Sequence, residues 1–285
     1  MSNEIIFLET TAVADYSLRP GARERIKSIC QQYGKTVTAQ YVRMEIKRGV
    51  LQYLVYLHNL IASKNSFADV LNTVSKLSST PQKYRLGTIL KILANFSKEI
   101  KNKTPQDIIS EYGDIPIDEY QRRKSKSYLR NIIKLLWRSI DRIADEIVNP
   151  MDCFPDIREP YEKEGFFVNE PRDCEKSKFQ CKIKQFFREH QTEFQKILNQ
   201  LGQVLPGKMD EETLRRKKSL KQILRLLPYG GRKFSNKEPN RKDCWNCGDA
   251  ILAVVAPDNA DILNNNERHY KPICAAINKR SRTYL

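Results

Sequence analysis

The feature that most constrains this chain is a pair of short strand-like runs near its start, each followed at once by a helical pattern. Residues 4–8 (EIIFL) precede a helix-patterned stretch over 9–34, and residues 35–39 (KTVTA) precede another over 41–64. In the second stretch Val42, Ile46, Val50, Leu54, Leu57 and Ile61 recur at helical spacing. Strand–helix–strand–helix order predicts an α/β unit with a parallel sheet, because parallel neighbours need a crossover between them. Pro20 and Gly21 split the first helical stretch, since proline lacks an amide donor and clashes with the preceding turn, and Gly34 ends it. The same grammar returns at the far end: 244–280 reads as helix, turn, short strand (261–263) and helix.

The middle is patterned differently. Residues 66–148 look helical almost throughout, most clearly over 118–148, where Leu129, Ile132, Ile133, Leu136, Trp137, Ile140, Ile143 and Ile147 form one apolar stripe. Arg122, Arg123, Lys124, Lys126, Arg130, Lys134, Arg138 and Arg142 fill much of the remainder. Residues 149–174, with four prolines and no periodicity, are predicted to form a long surface loop. Helical patterning resumes over 178–201 and 210–227, the latter containing Arg215, Arg216, Lys217 and Lys218. A basic linker punctuated by proline and glycine follows over 228–243, with Arg232 and Lys233.

Charge narrows the partners. The 285 residues carry 50 Lys+Arg against 34 Asp+Glu, a net +16. Such an excess favours a polyanion, through faster encounter and counterion release. Arg122, Arg123, Lys126, Arg130, Arg215, Arg216, Lys217, Lys218, Arg232 and Lys233 are the candidate nucleic-acid contacts. Aromatics interleave with cations at Phe179, at Phe186 and Phe187, and at Tyr229 and Phe234. The helical ones are read as core and the loop pair as a platform for single-stranded bases. No run approaches the ~18–20 apolar residues of a membrane span, and the N-terminus has an acid where a signal peptide needs positive charge. Seven cysteines, an odd number, argue against a disulfide framework and for a reducing, cytoplasmic setting. Cys244 and Cys247 have the spacing of half a zinc site, but are read as packing residues.

Four acidic points fall where this pattern places the ends of strands and the starts of helices. Glu9 follows the first strand, Glu45 lies in the first turns of the second helix, Asp249 opens a late helix, and 264–267 (NNNE) follows the last strand. In open parallel sheets ligands gather at the carboxyl ends of the strands, so residues distant in sequence can converge there. Clustered carboxylates repel unless a cation offsets them, and oxygen-only ligation suits Mg²⁺ or Mn²⁺.

These segments resemble the PIN domain, an α/β nuclease fold of toxin ribonucleases and RNA-processing factors. Leu8-Glu9-Thr10 resembles the family's L-D-T with Glu for Asp. Val42, Glu45, Ile46 and Gly49 fit V-x-x-E-[IL]-x-x-G, and Asp249, Ala250, Leu252, Ala253 and Ala256 fit D-A-x-[IL]-A-x-x-A. Residues 264–270 take the place of T-x-[DN]-x-x-[DH]-[FY], with Asn266 at the acid-or-Asn position. The resemblance implies a three-layer core with a parallel sheet built from both chain ends (1–64 plus 243–285) and a large, basic, mainly helical insertion over 65–242. It further implies an Mg²⁺- or Mn²⁺-dependent endoribonuclease in which Glu9, Glu45 and Asp249 hold the ion and Asn266 orients water. Thr10, Asp258, Asp261, Glu267 and His269 are close enough in sequence to assist. RNA or single-stranded DNA would be the substrate. A toxin role adds a small neutralising protein partner, and self-association is allowed. Two alternatives stand: a DNA nuclease of a defence system, and an inactive PIN-like module that binds nucleic acid or protein.

Overall fold

A computed structural model describes residues 4–79, 115–151, 157–170, 182–203, 210–227 and 241–284, together with isolated positions between 86 and 113 and at 237 and 239. The chain is a mixed α/β protein. Five strands, β1 (Ile5–Leu8), β2 (Lys35–Ala39), β3 (Glu146–Val148), β6 (Ala260–Asn264) and β7 (Arg280–Thr283), form one sheet in the order β3-β2-β1-β6-β7. Every neighbouring pair in it is parallel. The remaining two strands, β4 (Tyr161–Lys163) and β5 (Phe166–Val168), make an antiparallel hairpin.

The central strands are buried on both faces, as parallel strands covered by crossover helices must be. Ile6, Phe7, Leu8, Val37, Ile262 and Leu263 form this core. Helix α1 (Thr10–Leu18) follows β1, and α2 (Pro20–Cys30) starts with proline at its first turn, where the missing donor costs nothing. After β2 come α3 (Gln40–Arg48) and α4 (Val50–Ser63), which part at Gly49, so the single helix predicted over 41–64 is two. Then follow α5 (Phe67–Ser75), the long α6 (Ile117–Ile143), α7 (Lys182–Glu189), α8 (Gln191–Gln203), α9 (Glu211–Arg225), α10 (Arg241–Asn246), α11 (Gly248–Val255) and α12 (Glu267–Ala276). Among the described residues no helix is long and apolar enough to cross a membrane.

The chain divides into two compact units. The first comprises Met1–Glu45, Ser139–Ile157 and Arg172–Leu285, and holds the five-stranded sheet. The second comprises Ile46–Arg138 and Arg158–Pro171, and holds α4, α5, most of α6 and the hairpin. Within the second unit Asn59 exchanges two hydrogen bonds with the Phe167 backbone, both of 2.8 Å, and His58 meets the Phe167 ring edge-on.

Three elements depart from the sequence reading. The helix predicted over 118–148 stops at Ile143, and 146–148 is a strand. The cause is Asp145, whose amide donates to the Thr36 carbonyl at 2.8 Å while its carboxylate accepts from the Thr36 amide at 2.7 Å. These bonds draw the chain onto the edge of β2, and β-branched Ile147 and Val148 continue the ladder. Residues 161–168, predicted as loop, form the hairpin, turning at Glu164 and Gly165, both with positive φ. The last helix is followed by β7, a polar edge strand with no apolar alternation to reveal it.

Asn264 ties this edge to the core. Its wholly buried Nδ2 donates to Ser281 Oγ (2.8 Å) and to the Ile262 and Arg282 carbonyls (3.2 Å each), while its Oδ1 accepts from the Asn266 amide (2.9 Å). Asn264→Ala leaves these buried groups unpaired and is expected to cost about 1–3 kcal/mol. Urea unfolding monitored by circular dichroism reads the loss.

Candidate active site

Three sequence-distant acids meet at the carboxyl edge of the sheet because of where their elements begin. Glu9 is the first residue after β1; its amide reaches the Leu263 carbonyl at 3.3 Å, extending the β1–β6 ladder by one residue. The next residue starts α1, and Glu9 caps that helix. Its Oε2 accepts from the Thr11 amide at 2.9 Å, and its Oε1 accepts from the Ala12 amide at 3.1 Å and from Thr11 Oγ1. Glu45 sits on α3, which leaves β2 at the same edge, and accepts a short hydrogen bond from Thr10 Oγ1 on its Oε2. Asp249 lies in the first turn of α11, the helix that leads into β6. Because that helix runs against the strands, its start also lies at their carboxyl ends.

Gly248 is what lets α11 come this close. A Cβ there would fall inside the contact radius of Glu45 Oε1. The space that a side chain would fill is the one the Glu45 carboxylate uses.

The Asp249 charge raises both other carboxyls, and Glu9 raises Glu45 as well. Burial pushes Glu9 up to about 7; its hydrogen bonds from Thr11 and Ala12 act downward, and the Asp249 charge upward. Glu45 is pushed to about 8, first by desolvation and then by the charges of Asp249 and Glu9, against the Thr10 hydrogen bond and the Arg216 charge. Asp249 goes the other way. Burial again acts upward, but His269 and Arg216 outweigh it and hold the carboxyl below its usual range.

Arg216, from α9, is the cation of this cluster. It is 4% exposed, and its Nη2 stands 2.5 Å from Asp249 Oδ2 and 3.5 Å from Glu212 Oε1. His269 Nδ1 lies 3.3 Å from Arg216 Nη2, 3.6 Å from Asp249 Oδ2 and 2.5 Å from Asn266 Nδ2. Two further buried donors have no hydrogen-bond partner on the guanidinium, Nε and Nη1, and neither does the hydroxyl of Tyr270. Tyr270 is 1% exposed, and its hydroxyl is held well above its ordinary pKa by burial and then by the charges of Asp249, Glu9 and Glu45.

The other candidates scatter. Thr10 serves Glu45 directly. Asp261 is on β6 but faces Tyr33 (2.5 Å) and Arg280, so it belongs to a different network. Asp258 and Glu267 are exposed, pairing with Lys279 and Lys271 at 3.6 Å each. Of the basic candidates, Arg122 and Arg123 pair with Glu119, and Arg130 pairs with Glu162. Lys126 and Lys217 are half-buried, Arg215 and Lys218 exposed, and Arg232 and Lys233 lie outside the described residues. Cys247 is buried and Cys244 half-buried, neither in a disulfide, and the Cys247 thiol is pushed up by burial. The residues that sequence reasoning missed are Thr11, Gly248, Glu212 and Tyr270; only the glycine next to Asp249 left a visible trace.

Glu9, Glu45 and Asp249 match a hard divalent ion in donor type, since all donors are oxygens, but the space beside Gly248 is filled by the Glu45 carboxylate and the charge beside Asp249 is supplied by Arg216. No three His, Cys, Asp or Glu side chains among the described residues stand grouped to hold an ion. The fold and site thus define a mixed α/β protein whose parallel sheet carries a buried carboxyl cluster at its carboxyl edge. No family model, curated protein or solved structure matches this chain.

The raised carboxyls have a measurable consequence. A carboxyl whose folded pKa exceeds its unfolded 4.5 binds its proton more tightly when native. Native stability therefore rises as pH falls from about 8 towards 4.5, and is lost as pH climbs through 7 to 8. The slope is on the order of 1 kcal/mol per pH unit for each group. Thermal unfolding at about pH 5.5 and pH 8 is expected to show the shift, and Glu45→Gln to reduce it.

Proposed function

We propose that this chain is a PIN-like, Mg²⁺- or Mn²⁺-dependent endonuclease that cleaves RNA. One observation carries the reading: three carboxyls from separate parts of the chain gather at the carboxyl edge of a parallel sheet, where Glu9 caps α1, Glu45 lies against Gly248 and the Asp249 charge raises the proton affinity of the other two. Such an arrangement stores repulsion unless it serves a cation. Glu9, Glu45 and Asp249 would hold the ion. When bound, it would supply Lewis-acid chemistry, activating water and offsetting charge on the phosphoryl group.

The protein's own groups do the rest. Thr10 and Thr11 fix the carboxylate orientations of Glu45 and Glu9 through their hydroxyls. Burial raises the proton affinity of the Glu45 carboxyl to about 8, so ion binding there would release a proton near neutral pH. His269, set against Asn266 and Asp249, can donate to a phosphate oxygen. The exposed cations of α9 would hold a nucleic-acid backbone through charge alone, which selects polyanions without reading sequence, and the second unit's α6 carries cations of the same kind. The net +16 supports this polyanion reading over one with a small neutral substrate.

Asp249→Asn is expected to abolish cleavage of a labelled RNA in Mn²⁺ while unfolding stays cooperative, at a midpoint lowered by the loss of the buried Arg216 pair. Wild-type cleavage by that variant would sink the assignment. Parallel reactions on single-stranded and duplex DNA separate RNA cleavage from the DNA-nuclease reading, and salt-sensitive binding without any product would instead mark a binding module. Gly248→Ala places a methyl group where Glu45 Oε1 sits. Since the atom displaced is the end of a flexible side chain, cleavage is expected to fall by about tenfold or more with under ~1 kcal/mol lost in stability.

A further inference from the structure

Of the first unit's large apolar side chains, two among the described residues remain exposed, Leu214 and Trp245. They lie on neighbouring helices. Asn246, the residue after Trp245, donates from Nδ2 to Ser219 Oγ at 2.9 Å and pins α10 against α9. Trp245 is 39% exposed, and exposed Lys242 precedes it by three residues, on the same side of α10. The α9 surface beside it is cationic. Arg215, Lys218, Lys221 and Arg225 are all exposed and recur every three or four residues, so they form one stripe about 15 Å long. Arg215 lies one turn before Ser219 and so borders the seam with α10. The acids of α9 are confined to its first turn, where Glu211 stands 3.9 Å from Arg215. Among the described residues no acid stands within ion-pair distance of Lys218, Lys221 or Arg225, whereas Arg122, Arg123 and Arg130 of α6 are paired with Glu119 and Glu162.

We propose that this stripe and Trp245 form a binding surface for single-stranded nucleic acid: the cations take successive phosphates, and an unpaired base stacks on the Trp245 indole. This rests on the polyanion part of the reading above and needs no bound ion. Indole offers a large flat apolar face, and every base has a face to match it, so stacking holds a strand without reading its sequence. A duplex keeps its bases stacked on one another and can use the stripe alone, whereas a single strand uses both. The surface leads to the carboxyl cluster, because α9 also carries Arg216, and Asp249 follows Trp245 by four residues. Tyr229 and Phe234, the loop aromatics expected to serve as a platform, lie outside the described residues.

The test is titration of the full-length protein, in EDTA so that nothing is cleaved, with labelled oligo(U), oligo(dT) and a DNA duplex, each about 15 nucleotides or base pairs long. Binding is read by anisotropy of the label and by the protein's own tryptophan emission, with circular dichroism as a folding control. The chain has two tryptophans and Trp137 is buried, so quenching reports on Trp245. Both single strands are expected to quench the parent and the duplex is not, because stacking does not read the 2′-hydroxyl. Trp245→Ala should weaken single-strand binding about tenfold and leave duplex binding unchanged. Its salt dependence should match the parent's, since stacking releases no counterions. Trp245→Phe should bind within about threefold of the parent while losing the quenching. Lys218→Ala combined with Lys221→Ala should weaken single strands and duplex alike, and lower the single-strand slope of log affinity against log salt by about 1.4. Parent-like single-strand binding by Trp245→Ala, or equal losses on single strands and duplex, overturns the platform but leaves the polyanion reading standing. If Trp245→Ala does not fold, the quenching of the parent decides alone, and its absence overturns the platform. Parent-like binding by the lysine pair overturns the stripe. No binding of any oligomer by the parent at low salt removes the polyanion reading as well.

Discussion

The pairing of β1 with β6 is the constraint on which the rest depends. Ile5 to Leu8 align with Ala260 to Leu263, so residues some 255 positions apart are held in register across the centre of the sheet. Both strands are buried, and neither has a surface on which to settle except against the other and against the helices that cover them. That register carries Glu9 one step past the end of β1, to the level where β6 gives way to Asn265 and Asn266. Had the pairing slipped by one residue, every side chain of β1 would face the opposite layer of helices, and Glu9 would lose its place beside the end of β6.

What this edge holds is electrostatically expensive. Three carboxyls in a desolvated space resist ionising together, and the protein meets the cost in three ways. Backbone amides of α1 and the hydroxyl of Thr11 serve Glu9, the hydroxyl of Thr10 serves Glu45, and a buried guanidinium serves Asp249. Each remedy is partial, since Glu9 and Glu45 remain displaced upward. Replacing such a cluster by apolar side chains is often neutral or stabilising in a protein, so its presence argues for a use beyond stability.

Local pattern made some of this legible and not the rest. The strands over 4–8, 35–39 and 261–263 announced themselves as β-branched and apolar runs, and the acids stood out because each adjoins the end of such a run or the start of a helix. Strand β3 was hidden because 146–148 continues the apolar spacing of α6, and only the tertiary pull of Thr36 on Asp145 ends that helix. β7 is an edge strand made of Arg, Ser, Arg and Thr, polar because one side of it meets solvent. The hairpin strands have three residues each, too few for alternation to be seen. At the site, Arg216 looked like one of four cations in a run. Its burial follows from the face of α9 that packs inward with Leu220 and Ile223, at a helical offset of four and seven residues.

That offset also explains how one basic segment can do two jobs. Arg215 and Arg216 are adjacent in sequence and about 100° apart around the helix. Arg215 has a side chain 54% exposed and an acid partner at 3.9 Å, whereas Arg216 is buried on a carboxylate. Exposed pairs such as Arg215–Glu211, Arg123–Glu119 and Arg138–Glu159 contribute little to stability, so their cations can trade a carboxylate for a phosphate at small cost. A buried pair cannot be exchanged so cheaply. Removing either partner would leave the other's charge desolvated and uncompensated. The surface cations thus stay available to any polyanion at small cost, whereas the buried one is held to the carboxylate beside it.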